Sequence, residues 1–114
     1  MPKRVLESKA AKLINSILSD NEARSPIFGT MSPLYFPGEQ VAAKTGTTQD
    51  FRDGWVIGYT PSIVAGVWVG NNNNASTTNE GVGLAAPIWH KIMQKVLESN
   101  PKQNFTPPDP LESP

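Results

Sequence analysis

The residues with the most chemical promise are Lys44-Thr45-Gly46-Thr47-Thr48. A lysine held on a strand fixes a positive charge at an anionic ligand or at a proton-relay position. Gly46, two residues on, removes side-chain bulk, so a substrate or a facing strand can approach the backbone closely. Thr45 and Thr47 are two apart, so their hydroxyls share one face. The backbone of a strand at a sheet edge can also pair with an extended peptide. Together these groups suit an anionic, peptide-like ligand. A bare Lys-Thr-Gly triplet arises often by chance, however, and its plain reading is a strand end followed by a turn. Arg52 and Asp53 read as a solvated ion pair in the turn that follows. His90, the single histidine, cannot build a zinc site alone and reads as a surface residue outside its helix's apolar stripe. The chain has no cysteine, which excludes disulfides and thiolate metal sites. Nothing in the sequence asks for a metal or a cofactor.

Composition narrows the classes further. Ten basic and ten acidic side chains balance without forming a basic stripe, so nucleic acid is not expected as a partner. The 114 residues suffice for one domain with a modest core. No apolar run approaches the roughly 18 residues that a membrane helix needs. The Met1-Pro2-Lys3-Arg4 start lacks the apolar stretch of a signal peptide.

The elements that must position Lys44 follow from periodicity. Residues 8–20 read as an amphipathic helix, with Ser8 as N-cap and Ala10, Leu13, Ile14, Ile17 and Leu18 as its stripe. Prolines and glycines make 21–38 a loop, although one with apolar residues at Ile27, Phe28, Leu34, Tyr35 and Phe36. Three strands follow, at about 40–47, 54–60 and 62–70. Only Thr60-Pro61-Ser62 separates the last two, so they form an antiparallel hairpin, with Trp55 and Trp68 as packing residues. The third strand is apolar on both faces and reads as covered on both sides. Asn71–Asn74 and the residues to 79 form a polar loop. A helix then starts at Pro87 and runs to 99, with Ile88, Trp89, Ile92, Met93, Val96 and Leu97 as its stripe. Residues 1–100 thus read as one α+β unit, a three-stranded antiparallel sheet packed with an N-terminal and a C-terminal helix. The stretch 101–114 has five prolines and reads as a disordered tail.

The flanks of the triplet carry a resemblance. Lys44-Thr45-Gly46-Thr47-Thr48 leads through Arg52-Asp53-Gly54-Trp55-Val56-Ile57-Gly58-Tyr59-Thr60-Pro61 to Trp68-Val69-Gly70-Asn71. Further on stands Gly83-Leu84-Ala85-Ala86-Pro87-Ile88-Trp89. This succession resembles the C-terminal part of the transpeptidase domain of class A, bifunctional penicillin-binding proteins, within the serine DD-transpeptidase and β-lactamase-like superfamily. The resemblance covers about 8–99. It implies a partial penicillin-binding transpeptidase fold in which Lys44 sits beside the nucleophile's proton relay. It implies that Thr45, Gly46, Thr47 and Thr48 bind the carboxylate and backbone of a β-lactam or a peptidoglycan stem peptide. The parent enzyme would lie on the extracytoplasmic face of the bacterial cell membrane and crosslink cell-wall peptides through a serine acyl-enzyme.

That family presents Ser-x-x-Lys, then Ser-x-Asn, then Lys-Thr-Gly. The formal matches here, Ser99-Asn100-Pro101-Lys102 and Ser19-Asp20-Asn21, stand in the wrong order or at the wrong distance. No nucleophile is therefore assigned, and the chain alone is expected to be inactive, since covalent catalysis needs a nucleophile and an activating base. The expected partners are the stem peptide or β-lactam and the missing N-terminal part of the transpeptidase domain. Apolar surface left open near Phe28, Tyr35 and Phe36 would favour self-association. The alternative from another class is a non-catalytic α+β module that binds peptidoglycan stems or a protein through the edge of the first strand.

Overall fold

The computed structural model describes residues 3–29, 31–47, 53–70 and 81–110. Among them, three helices and three strands follow in the order α1 (Ser8–Leu18), α2 (Asn21–Phe28), β1 (Ala42–Thr47), β2 (Asp53–Tyr59), β3 (Val64–Gly70) and α3 (Gly81–Ser99). The strands form one antiparallel sheet in the order β1-β2-β3, the α+β arrangement expected. Ala42 pairs with Tyr59 and Thr47 with Gly54 across the first ladder. Asp53 pairs with Gly70 and Tyr59 with Val64 across the second. The hairpin between β2 and β3 closes where the Thr60 N–H donates to the Ile63 carbonyl at 2.8 Å.

Cross-strand partners share a face, so the registers divide the sheet in two. One face carries Ala43, Thr45, Thr47, Gly54, Val56, Gly58, Ala65, Val67 and Val69. α3 packs on it, mainly over β2 and β3. Trp89, Met93, Val56 and Ala85 are fully buried there, with Leu34, Phe36 and Val41 around them. The Trp89 ring lies on Gly58, where any Cβ would collide with it, and its indole N–H donates to the Ala65 carbonyl at 3.2 Å. The other face carries Lys44, Gly46, Trp55, Ile57, Tyr59, Val64, Gly66 and Trp68, and is open over most of its area. Val64 is 69% exposed and Trp68 43%, so β3 is covered on one side only, against expectation. Trp55 and Trp68 do face each other across the hairpin, with ring centroids 6.4 Å apart, but on this open face and not in the core.

Several element ends differ from the periodicity reading. Glu7, not Ser8, holds the N-cap position of α1, without a side-chain cap bond. The helix read over 8–20 stops at Leu18, and Asp20 begins a second one: its carboxylate accepts from the Ala23 N–H and caps α2. Pro26 stands inside α2, where it cannot donate to the Glu22 carbonyl four residues back. The Ser25 hydroxyl donates to that carbonyl instead, at 2.8 Å. α3 starts six residues before Pro87, because burial of Ala85 and Ala86 holds the upstream turns against the proline's missing donor. Pro37-Gly38 makes a tight turn into β1: the Glu39 N–H donates to the Phe36 carbonyl at 3.1 Å. Gly38 sits there at φ +78°, the position that favours glycine after proline in a type II turn.

Of the apolar residues in the 31–36 segment, Leu34 and Phe36 are buried and Tyr35 is half-buried, while Met31 stands open. Phe36 is buried, edge-on to Trp89 at 5.6 Å, and stacks on the His90 imidazole at 4.3 Å. His90 Nδ1 lies 2.7 Å from the Pro33 carbonyl oxygen. His90 is therefore a clamp between α3 and this segment, not a free surface residue. Phe28, at the end of α2, is exposed as expected, and so are Ile14 and Ile17 on α1, Ile27, the open sheet face, and Leu84, Ile88 and Ile92 on α3. Residues 101–110 have no helix or strand, but they lie against the body. Phe105 packs edge-on to Tyr59 at 5.6 Å, the Phe105 N–H donates to Gln40 Oε1 at 2.8 Å, the Ser62 hydroxyl bonds Gln103 at 2.6 Å, and Lys12 pairs with Asp109 at 3.1 Å.

Candidate functional site at the edge of β1

β1 pairs with β2 alone among the described strands, so its other edge carries no strand. Its sequence suits that position. Ala42 and Ala43 are small and buried, which lets the strand lie close under its neighbours, while Lys44 and Thr47 reach solvent. Thr45 and Gly46 are half-buried. The registers put Lys44 and Gly46 on the open face and Thr45 and Thr47 on the face toward α3. The Lys44 ammonium donates to the Thr45 carbonyl at 2.7 Å, which holds the charge beside its own strand.

Along this edge runs a groove of about 250 Å³, bounded by Ala43, Lys44 and Thr45 on one side and by α1, α2 and Leu34 on the other. Three consecutive strand residues point alternately to the two faces, so a cavity that touches all three lies beside the strand and not over it. The far wall is apolar, with Ile17, Leu18, Phe28 and Leu34, and carries one cation, Arg24. The Arg24 guanidinium donates to the Leu18 carbonyl at 2.9 Å, the Leu34 carbonyl at 3.1 Å and Asn21 Oδ1 at 3.3 Å. It ties the end of α1, the start of α2 and the 31–36 segment together. Burial lowers its pKa from the usual guanidinium value, and Asp20 opposes that shift. Sequence reading did not single out Arg24. A lone arginine between short apolar segments gives no local signal, because its partners are carbonyls fixed only by the fold.

The other candidates separate from this site. Thr48, Arg52 and the Asn71–Asn79 loop lie outside the described residues. Asp53 starts β2 opposite Gly70, where its carboxylate and the Trp68 ring leave no room for a Cβ. The Ser19 hydroxyl donates to the Asn15 carbonyl at 2.6 Å and finishes the last turn of α1, while Ser99 is the last residue of α3. Neither formal serine motif is therefore built as a nucleophile site. Among the described residues no three His, Cys, Asp or Glu side chains come together as a metal site would require. A second cavity, of about 360 Å³, lies between α1, Tyr59 and the 104–106 segment. The Tyr59 hydroxyl spans its wall to donate to Asn15 Oδ1 at 2.6 Å.

Comparison with known proteins agrees with this architecture. Residues 1–94 match the family described as the penicillin binding protein transpeptidase domain. Penicillin-binding protein 1A of Aquifex aeolicus is 44% identical over 70 residues, covering 60% of this chain and 10% of that protein. Penicillin-binding protein 1A of Mycolicibacterium smegmatis is 34% identical over 117 residues, covering 90% of this chain and 15% of that one. The crystal structure of penicillin-binding protein 1A from Haemophilus influenzae superposes with a TM-score of 0.70 at 24% identity, over 92% of this chain and 17% of its own. The chain therefore spans a small part of the length of the relatives it matches. On the match over residues 1–94, with class A proteins as its relatives, the chain belongs to the penicillin-binding-protein transpeptidase family and carries part of that domain.

Proposed function

We propose that the chain supplies one wall of a serine DD-transpeptidase active site, the wall built on Lys44-Thr45-Gly46-Thr47-Thr48. In this reading the enzyme's serine attacks the D-Ala-D-Ala peptide bond of a peptidoglycan stem. D-alanine leaves, and the acyl group passes to an amine on a neighbouring stem, at the extracytoplasmic face of the bacterial membrane. Lys44 holds a positive charge next to the serine's proton relay. Thr47 and Thr45 meet the carboxylate of the stem or of a β-lactam, Gly46 lets the ligand approach, and the backbone near Thr47 and Thr48 pairs with the acyl amide. The observation that carries the reading is the strandless edge of β1, lined by Ala43, Lys44 and Thr45.

The serine motif of the family has no counterpart in the right order here, so the chain itself is expected to bind and not to react. Two measurements test this. Incubation with a fluorescent penicillin, followed by denaturing electrophoresis, is expected to give no covalent band; a band lost on replacing one of the chain's serines overturns the assignment of the nucleophile elsewhere. NMR titration with a peptide ending in D-Ala-D-Ala is expected to shift the amides of 44–48, with the shifts lost in Lys44→Ala. Shifts confined to other parts of the chain, or none, sink the substrate-wall reading. The same groove would serve a non-catalytic stem-binding module. Reconstitution with the remainder of a transpeptidase domain separates the two, since only the substrate-wall reading expects penicillin acylation to appear.

A further inference from the structure

The proline-rich stretch after α3 does not hang free. Residues 101–110 follow the stretch that matches the family, 1–94, and they cross the body from the β2–β3 turn to α1. Gln103 Oε1 accepts from the Ser62 hydroxyl at that turn. Phe105 lays its ring edge-on to Tyr59, and its N–H donates to Gln40 Oε1 just ahead of β1. Asp109 pairs with Lys12 of α1. We propose that residues 101–110 are a strap that seats α1 and, through Tyr59, sets the far wall of the groove beside β1. The groove's use as a stem-peptide site rests on the reading above; the strap and its effect on the wall do not.

α1 has need of such a fixture. None of its side chains is buried. Its half-buried residues include Ala11, Lys12, Asn15 and Leu18, which share one flank at helical spacing. Leu13, Ile14 and Ile17 are exposed. The helix therefore rests on its more polar flank, and the apolar burial that holds most amphipathic helices contributes little. Three polar contacts fasten it: Lys12 to Asp109, Asn15 to the Tyr59 hydroxyl, and the Leu18 carbonyl to Arg24. The first comes from the strap itself, and the second from a residue against which the strap packs.

Tyr59 is the node. Its ring takes the edge of Phe105, its hydroxyl holds Asn15, and its backbone pairs with Ala42 of β1. Ile17 and Leu18, within one turn of Asn15, stand across the groove from Ala43, Lys44 and Thr45. Movement at Phe105 thus reaches the groove wall through one ring contact and one hydrogen bond. The strap's composition suits the task. Pro107, Pro108 and Pro110 fix their own φ and keep the residues before them extended. A segment that is stiff before it docks loses little conformational entropy on docking. It can therefore lie in place with Phe105 half-buried and its other residues exposed. Exposed contacts of this kind also open locally, so the strap can lift and loosen α1 while the sheet stays folded.

The chain has no cysteine, so spin labels can be placed at Ile14→Cys on α1 and Lys91→Cys on α3, both exposed. Electron paramagnetic resonance on the full chain is expected to give a narrow distance distribution. Phe105→Ala with Asp109→Asn should broaden it, with the circular dichroism unchanged, and should shift the amides of Ala43, Lys44 and Thr45. Phe105→Ala alone should speed hydrogen exchange over Lys12–Leu18 about fivefold, and Phe105→Tyr, which keeps the ring, should leave it slow. In a Tyr59→Phe background, where the hydroxyl is gone, Phe105→Ala should add little further broadening. An unchanged distribution overturns the proposal. So do fixed 43–45 amides, or a Phe105→Ala effect undiminished by Tyr59→Phe. Should the double variant fail to fold, Pro107→Gly with Pro108→Gly decides the matter. It loosens the strap without removing any of the named contacts and should broaden the same distribution; a narrow one overturns the proposal. No ligand is needed in these measurements. A chain that passes them and binds no D-Ala-D-Ala peptide sinks the substrate-wall reading and leaves the strap standing.

Discussion

The contact between Gly58 and Trp89 makes the most demanding prediction about how the sheet is held. Trp89 is fully buried, and a Cβ on Gly58 would collide with its indole and would lie 2.9 Å from the Ala42 carbonyl oxygen. Gly58→Ala forces one methyl into a filled space between a ring and backbone, so it should cost about 1–3 kcal/mol, toward the upper end because backbone cannot move aside. Trp89→Leu removes the colliding ring and the bond to the Ala65 carbonyl, and should cost about 3 kcal/mol by cavity formation. In the double variant the alanine methyl enters the space the ring has left. The two costs should then fall short of their sum by about 1–2 kcal/mol, well beyond the ~0.5 kcal/mol scatter of independent sites. Urea unfolding followed by far-ultraviolet circular dichroism measures all three variants without relying on tryptophan emission. Additive costs, or a neutral Gly58→Ala, would refute the claim that the glycine is there to admit the ring.

Three further tests address the elements around the site. Burial raises the Tyr59 phenol above its ordinary value of 10.0, so folding favours the neutral form. Its contribution is intact below the unfolded value and is lost as pH rises through the higher folded one. Unfolding free energy measured from pH 8 upward should decline above about pH 10, and Tyr59→Phe should shed part of that decline while costing about 1 kcal/mol through the bond to Asn15. Arg24→Ala leaves the Leu18 and Leu34 carbonyls without the guanidinium and should cost about 2–3 kcal/mol, seen as faster hydrogen exchange over 18–36; Arg24→Lys should recover less than half, lacking the fork. Phe105→Ala should cost about 1 kcal/mol through the Tyr59 ring contact and speed exchange in α1, and unchanged exchange there would count against residues 101–110 bracing that helix.

What the sequence revealed and what it hid divide along physical lines. The strands were legible because β-branched and aromatic residues recur in short runs between turn residues, and the hairpin because few residues separate two of them. Of the three misplaced features, one rests on a local compensation and two depend on distant partners. α2 was hidden by Pro26, whose lost donor is replaced by the Ser25 hydroxyl. The early start of α3 was hidden by Pro87, although Ala85 and Ala86 are held by the core. Phe36 looked like open surface because its cover, Trp89 and His90, comes from a helix more than fifty residues on. The apolar character of β3 was read correctly, but its second face was assigned a cover that the described residues do not contain. For the site, residue types at 44–48 were enough to suggest a peptide-like anionic ligand, while the groove and Arg24 required α1 and α2 to be placed.

The alternation of β1 limits how any ligand can use the motif. Lys44 and Gly46 lie on one face, Thr45 and Thr47 on the other, and the second face is covered by α3 over most of the sheet. A ligand resting on the open face would meet the ammonium and the glycine but neither threonine hydroxyl. One resting on the other face would meet the threonine hydroxyls but neither the ammonium nor the glycine. Only a ligand lying along the outer edge can reach an ammonium from one side, a hydroxyl from the other and the strand's outward backbone groups between them. That is the course of the groove beside Ala43, Lys44 and Thr45. An extended peptide ending in a carboxylate has the shape and the charge for it, since its backbone supplies the ladder partners and its terminus the anion. A compact anion has only the charge. Inorganic phosphate or acetate should therefore shift the Lys44 side-chain resonances without moving the amides of 44–47. A D-Ala-D-Ala peptide should move both, and equal amide responses to the two would place the ligand over the open face and not along the edge.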